Sequence, residues 1–199
     1  MGIRASFDEM SRLIQQQSLK DGATAAAAVV TDEYIALAHL GDARVVLFQR
    51  NVEDDIDDMT SFSFSSLTSS DSPPVAASTR HCTRSVLRLP HKTVSITATM
   101  DHTARNRSER RRVEKELGGY VSEQGRVMGD IAVTRALGDQ QFFPYITSEP
   151  SIMVVPRSGK EELLIVACDG LWDTVTNEAA YKLINRAANK GLDSSKCAL

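Results

Sequence analysis

Residues 22–49 read GATAAAAVVTDEYIALAHLGDARVVLFQ, three apolar runs separated by two polar breaks. Ala23–Val30, Tyr34–His39 and Ala43–Gln49 each have strand length and are rich in residues that suit a sheet. The breaks, Thr31-Asp32-Glu33 and Leu40-Gly41-Asp42, are too short for a crossover helix, so consecutive strands must turn back on each other. The stretch is therefore an antiparallel meander. Its first run contains nothing but small and apolar residues after Thr24, which predicts a buried strand.

Upstream, Ile3, Phe7, Met10, Leu13 and Ile14 recur at spacings of three and four, predicting an amphipathic helix over Met1–Lys20 that ends at the Asp21-Gly22 turn. Downstream, composition changes after Asn51. Val52–Pro90 carries an acidic run (Glu53, Asp54, Asp55, Asp57, Asp58), a serine-rich stretch (Ser61–Ser72) and Pro73-Pro74. Few of these positions suit a core, and most of 52–90 reads as a flexible insertion. A solvated spacer and a regulatory or phosphorylated loop both fit that composition. Order returns with an alternating strand at Lys92–Thr99, a basic helix at Arg105–Leu117 stopped by Gly118-Gly119, a short strand at Tyr120-Val121 and a short helix at Ile131–Leu137. Strands at Ile152–Val155 and Leu163–Ala167, a turn at Trp172-Asp173 and a closing helix at Glu178–Asn189 complete the pattern. A meander followed by interspersed helices predicts an α+β fold of antiparallel sheets with helices packed outside them.

The bulk properties exclude several classes. The chain has 199 residues, 42% hydrophobic and 25% charged, with a net charge of -3. That is one globular domain, with no global field to attract nucleic acid or acidic lipid. Cys82, Cys168 and Cys197 are far apart and odd in number, which argues against a disulfide framework or zinc knuckle and for a reducing compartment. Cys168 reads as a buried structural thiol. The longest apolar run, Ala25–Val30, is far too short for a bilayer, so no membrane partner is expected. In the Arg105–Lys115 run, glutamates interleave with the cations and no aromatic stacking residues accompany them, so a nucleic-acid partner is not expected either.

The chemistry concentrates at strand ends. In Leu163–Asp173, LLIVACDGLWD, an apolar strand runs into Asp169-Gly170, and Asp173 follows four residues on. A helical turn there would bring the two carboxylates to one side, a hard oxygen donor set suited to magnesium or manganese. A turn cap at Asp169 and a solvated Asp173 is the plain alternative. Leu40-Gly41-Asp42-Ala43-Arg44 sits between two strands and needs no function as a bare hairpin. Arg126–Asp139, RVMGDIAVTRALGD, holds two glycine–aspartate pairs and two arginines, suited to phosphate recognition or to structural ion pairs. His102 has no partner at ligand spacing and reads as a structural hydrogen bonder at a strand end.

Taken in order, these segments resemble the type 2C, metal-dependent serine/threonine protein phosphatases. Gly22–Ala25 is similar to that family's G-[ST]-T-A opening, and His39–Arg44 to N-V-G-D-S-R. Asp101-His102 with Glu109, Arg112 and Gly118-Gly119 follows D-H…E…R…G-G, and Val127–Asp139 resembles V-N-G-x-L-A-V-S-R-A-L-G-D. Ser148–Pro150 is similar to P-E-P, and Ala167–Asp173 to A-C-D-G-L-W-D. The resemblance implies a sandwich of two antiparallel β-sheets flanked by helices, with Mg2+ or Mn2+ at one end activating a water that hydrolyses phosphoserine and phosphothreonine. It assigns Asp169 to the metal cluster, and Asp42 and Asp173 to an additional metal position; it leaves the catalytic residues unassigned. It implies a phosphorylated protein substrate, a monomer, and a cytoplasmic location with the nucleus also open. The family's D-G-H-G-G and final D-N motifs do not occur in the sequence, so residues 1–199 are expected to form one partial domain with impaired catalysis. A truncated gene model, a splice form and a degenerate relative that serves as a binding module all fit.

Overall fold

The computed structural model describes residues 2–17, 19–51, 82–90 and 92–191. The acidic run, the serine-rich stretch and Cys197 lie outside them. Helix α1 (Ile3–Gln16) leads into β1 (Gly22–Ala23), β2 (Ala25–Val30), β3 (Tyr34–Leu40) and β4 (Arg44–Arg50). Strands β5 (Cys82–Leu89) and β6 (Lys92–Thr99) follow, then helix α2 (Arg107–Arg111), which continues as a π-helical turn over Arg112–Glu116. Strand β7 (Leu137–Gly138), strands β8 (Ser151–Pro156) and β9 (Glu161–Ala167), and helices α3 (Asp169–Trp172) and α4 (Asn177–Ala188) complete the order.

The meander folds as its pattern predicts, but it divides between two sheets. Strands β2, β3 and β8 form one antiparallel sheet in the order β2-β3-β8, and the other runs β5-β6-β4-β9. The β3–β4 hairpin crosses between them. Alternation along these two strands decides the layers. Ile35, Leu37, Val45 and Leu47 meet between the sheets with Met153 and Val155. Ala38 and Leu40 face outward to Phe7 of α1, while Val46 and Phe48 face outward to Ala180 and Tyr181 of α4. The result is a helix–sheet–sheet–helix sandwich. A separate cluster of Ala104, Val113, Val121, Val127, Val133, Ala136 and Ile146 fills the connection between β6 and β8.

Several expectations need correction. The Ala23–Val30 strand is not buried: β2 is an edge strand among the described residues, and Val30 keeps 53% of its surface exposed. Ala26 and Ala28 pack between the sheets and Ala25 toward α1, each only partly buried. Cys82–Leu89, inside the stretch expected to be an insertion, is strand β5 paired residue by residue with β6, and only Leu87 points fully inward. Ile131–Leu137 is not a helix. Met128 and Gly129 take positive φ (53° and 79°), and the chain then proceeds through isolated bridges, Val127 to Ile131 and Thr103 to Val133. Tyr120-Val121 supplies one such bridge, Val121 to Val127, rather than a strand. The turn placed at Trp172 begins as helix α3 at Asp169, and the closing helix is α4.

Gly41 at the hairpin tip has φ of 75°, and a Cβ there would lie 2.3 Å from Thr24 Cγ2. The G-A-T-A strand opening and the Gly41-Asp42 turn are thus packed against each other. Gly41→Ala is expected to cost about 2–3 kcal/mol, because strain and overpacking act together. Chemical denaturation should show the loss as a lower midpoint with an unchanged slope.

Candidate functional site

Three strands deliver a carboxylate to the same end of the sandwich. Asp42 stands two residues past the end of β3, Asp101 two past β6 and Asp169 two past β9. Register explains the convergence: Ala98 of β6 pairs with Val46 of β4, and Ala167 of β9 pairs with Arg44. Helix α3 then turns Asp173 back, its backbone N–H donating to Asp169 O at 2.8 Å. Asp42, Asp101, Asp169 and Asp173 together line one open cleft of about 670 Å³. The volume suits a small ligand or one side chain of a larger substrate.

The acids act on one another. Burial pushes the Asp42 carboxyl above its ordinary value, and the charges of Asp169, Asp101 and Asp173 push it further. Asp101 is committed elsewhere: Arg44 donates to both its oxygens, at 2.9 and 2.6 Å. The same guanidinium reaches Asn177 Oδ1 at 3.1 Å and stacks 5.3 Å from the Trp172 ring. Trp172 Nε1 donates to Ala167 O at 2.9 Å and Arg44 O at 3.3 Å, tying the start of β4 to the end of β9. Arg44 and Trp172 thus hold the cleft floor in place.

The donor set is entirely hard oxygen, which suits Mg2+ or Mn2+ and disfavours softer metals. Among the described residues, no group of three or more histidine, cysteine, aspartate or glutamate side chains is close enough together to hold a metal ion by itself. Asp42, Asp169 and Asp173 share a cleft lining without forming a closed ligand set, so a cation held among them would keep several waters as ligands.

Behind the cleft lies a structural layer. His102 is buried, its backbone N–H donating to Gly41 O at 2.8 Å and its ring Nε2 lying 2.8 Å from Ser151 Oγ. It has the structural role expected of it, and its ring stacks on His39 with centroids 4.2 Å apart. Arg135 pairs with the buried Glu109 at 2.6 Å, so this arginine of the Arg126–Asp139 segment is structural rather than a phosphate ligand. Cys168, expected to be buried, is exposed, because the chain leaves the sheet edge one residue earlier at Ala167.

Asp42, Asp169 and Asp173 were legible as candidates and share the cleft. In the sequence Asp101 stands out only within the Asp101-His102 pair. Its signal is the one that marked Asp169, a carboxylate just past an apolar strand. Arg105 and Arg107 also line the cleft; within a basic run they carried no signal of their own. No helix among the described residues is long and apolar enough to cross a membrane.

The chain matches the family model described as "Protein phosphatase 2C" over residues 1–66 and 86–199. It is 31% identical over 166 residues to "Protein phosphatase 2C 50" of Oryza sativa subsp. japonica, covering 83% of this chain and 32% of that protein. It is 31% identical over 170 residues to "Protein phosphatase 2C 3" of Arabidopsis thaliana, covering 85% and 29% respectively. With "Probable protein phosphatase 2C 9" of Oryza sativa subsp. japonica the identity is 33% over 192 residues, 92% of this chain and 36% of the relative. The chain thus spans about a third of the length of these curated relatives. Among solved structures, "Structure of a C.elegans sex determining protein" superposes with a TM-score of 0.64 at 25% identity, over 93% of this chain and 37% of that one. "Crystal structure of serine-threonine phosphatase 2C from Toxoplasma gondii" gives 0.62 at 18% identity, over 94% and 54%, a likeness of fold alone.

Proposed function

Because this chain belongs to the protein phosphatase 2C family, we propose that it is a metal-dependent protein serine/threonine phosphatase domain whose Asp42, Asp169 and Asp173 hold Mg2+ or Mn2+. The observation that supports this reading is that those three aspartates, from distant parts of the sequence, line one open cleft. The cation supplies charge neutralisation for the phosphoryl group and a lowered pKa for a water. The protein's own residues position it. Asp169 is aligned by the Gly170 N–H, which donates to its Oδ1 at 2.8 Å. Asp173 is fixed by the helical turn, and Asp42 by the tightly packed Gly41 corner. Asp101 contributes through Arg44, whose guanidinium it holds.

The substrate class that fits is a phosphorylated serine or threonine presented on a protein, because the cleft is open and its roughly 670 Å³ accommodates a phosphorylated side chain. The experiment is release of inorganic phosphate from a phosphoserine peptide with Mn2+ and with chelator. Release with Mn2+ and none with chelator is expected. A folded protein without Mn2+-dependent release would instead favour a binding module.

Cation binding has a second readout. Asp42 is destabilising while ionised and unpaired, since its folded pKa is raised. The stability it withholds is regained as pH falls through that raised pKa. A cation relieves the same repulsion at neutral pH. Mn2+ at about 100 times its dissociation constant should therefore add about 2.7 kcal/mol, a rise in Tm of roughly 5–10 °C. Asp42→Asn should raise Tm in chelator and reduce the Mn2+-induced rise. A Tm that does not respond to Mn2+ would contradict this.

A further inference from the structure

Six basic side chains fall between Arg105 and Lys115, and the structure divides them by partner. Arg110 pairs with Glu114 at 3.0 Å, Arg111 with Glu116 at 3.8 Å and Arg112 with Glu109 at 3.3 Å. Lys115 is exposed and outside the cleft. Arg105 and Arg107 differ from all of these. Both are exposed and both line the cleft that holds Asp42, Asp169 and Asp173. Among the described residues neither makes an ion pair, even though the cleft is rich in carboxylates. The backbone between them is pinned: Asn106 N–H donates to Thr103 O at 3.0 Å, and Asn106 Oδ1 accepts from Ser108 N–H at 3.0 Å. Two guanidiniums are thereby carried on a fixed turn at the edge of the site.

The cleft acids have an occupant in the proposed cation, and Asp101 has Arg44. The two arginines have none. Exposed guanidiniums offer forked donors to carboxylate or phosphate, and at the rim of a site such charges select among ligands more than they add bulk affinity. We propose that Arg105 and Arg107 read an anionic group on the substrate chain beside the phosphorylated residue. The site then prefers phosphoserine and phosphothreonine flanked by acidic side chains or by a second phosphate. This rests on the phosphatase reading above, and the test keeps the two apart.

The test is fluorescence anisotropy of labelled peptides in which a non-hydrolysable phosphonate replaces phosphoserine, in Mn2+ and low salt. The flanks are glutamates, phosphoserines, alanines or lysines. Wild type should bind the anionic flanks about 5- to 10-fold more tightly than the alanine flank, the size expected for two rim ion pairs. Preference for phosphoserine without preference for glutamate would identify a second phosphate as the source. In Arg105→Ala/Arg107→Ala the ratio should fall to within about two-fold, and in Arg105→Glu/Arg107→Glu it should invert toward the lysine flank. A wild type without flank preference, or a ratio unmoved by the charge reversal, would overturn the proposal. Phosphate release from the hydrolysable peptides is measured separately. Flank preference without any release would overturn the phosphatase reading and leave this one standing.

Discussion

Replacing Asp169 with asparagine is expected to lower Mn2+-dependent phosphate release by about 10²–10³-fold, with little change in fold. The magnitude follows from what a bound cation contributes to phosphoryl transfer, several kcal/mol of charge stabilisation, at a tenfold change in rate per 1.4 kcal/mol. Asparagine keeps the shape and the acceptor oxygen that the Gly170 N–H requires, but removes the charge. Asp169 is exposed at the mouth of the cleft, so no core contact is lost and the circular dichroism spectrum should be unchanged. The deficit should sit in kcat/KM at limiting Mn2+ and shrink as Mn2+ is raised, because a weakened ligand set raises the metal concentration needed. A variant with wild-type rates at limiting Mn2+ would remove Asp169 from the metal site.

Glu109→Ala is expected to be the most destabilising single change, about 3–5 kcal/mol. The carboxylate is buried and accepts from Arg135 at 2.6 and 3.1 Å and from Thr134 Oγ1 at 2.8 Å. Arg112 joins it at 3.3 Å while also donating to the carbonyls of Thr134 and Tyr145 at 2.7 and 3.1 Å. Removing the acid leaves Arg135 buried without its counter-charge. For a chain of this length the expected fall in Tm is roughly 10 °C. The same group sets an acid limit. Burial pushes the Glu109 pKa up, but hydrogen bonding and charge from Arg135 more than offset it and leave it at about 2 instead of 4.5. A depressed carboxylate contributes stability that is fully present above its unfolded pKa and lost as pH falls through the folded one. Glu109 should therefore contribute about 3 kcal/mol at neutral pH that disappears between about pH 4.5 and 2. Glu109→Ala should flatten the stability profile in that window, and a profile parallel to wild type would contradict the assignment.

The sandwich was legible because strand-length apolar runs separated by short breaks dictate an antiparallel meander. Asp169 was legible because it directly follows an apolar strand, and Asp173 because it lies four residues on; Asp42 stood out only through the family resemblance. What escaped is of three kinds. Pairings across long separations leave no local trace: Arg44 meets Asp101 from 57 residues away, and Glu109 meets Arg135 from 26. Apolar spacing alone does not distinguish a helix from an irregular segment. Val127, Val133 and Ala136 do converge on one cluster, but by way of positive-φ turns rather than helical turns. Composition also misleads at sheet edges. The alanine-rich β2 looked like core because it lacks polar residues, and β5 looked like loop because Thr83, Arg84, Ser85 and Arg88 obscure its single inward Leu87.

The most direct measurement is a Mn2+ titration followed by electron paramagnetic resonance of the free ion, on wild type and on Asp42→Asn/Asp169→Asn/Asp173→Asn. Wild type should deplete the free signal saturably, and the triple variant, with its circular dichroism spectrum intact, should leave it close to that of buffer. Identical titration curves for the two proteins would show that these carboxylates do not hold the cation.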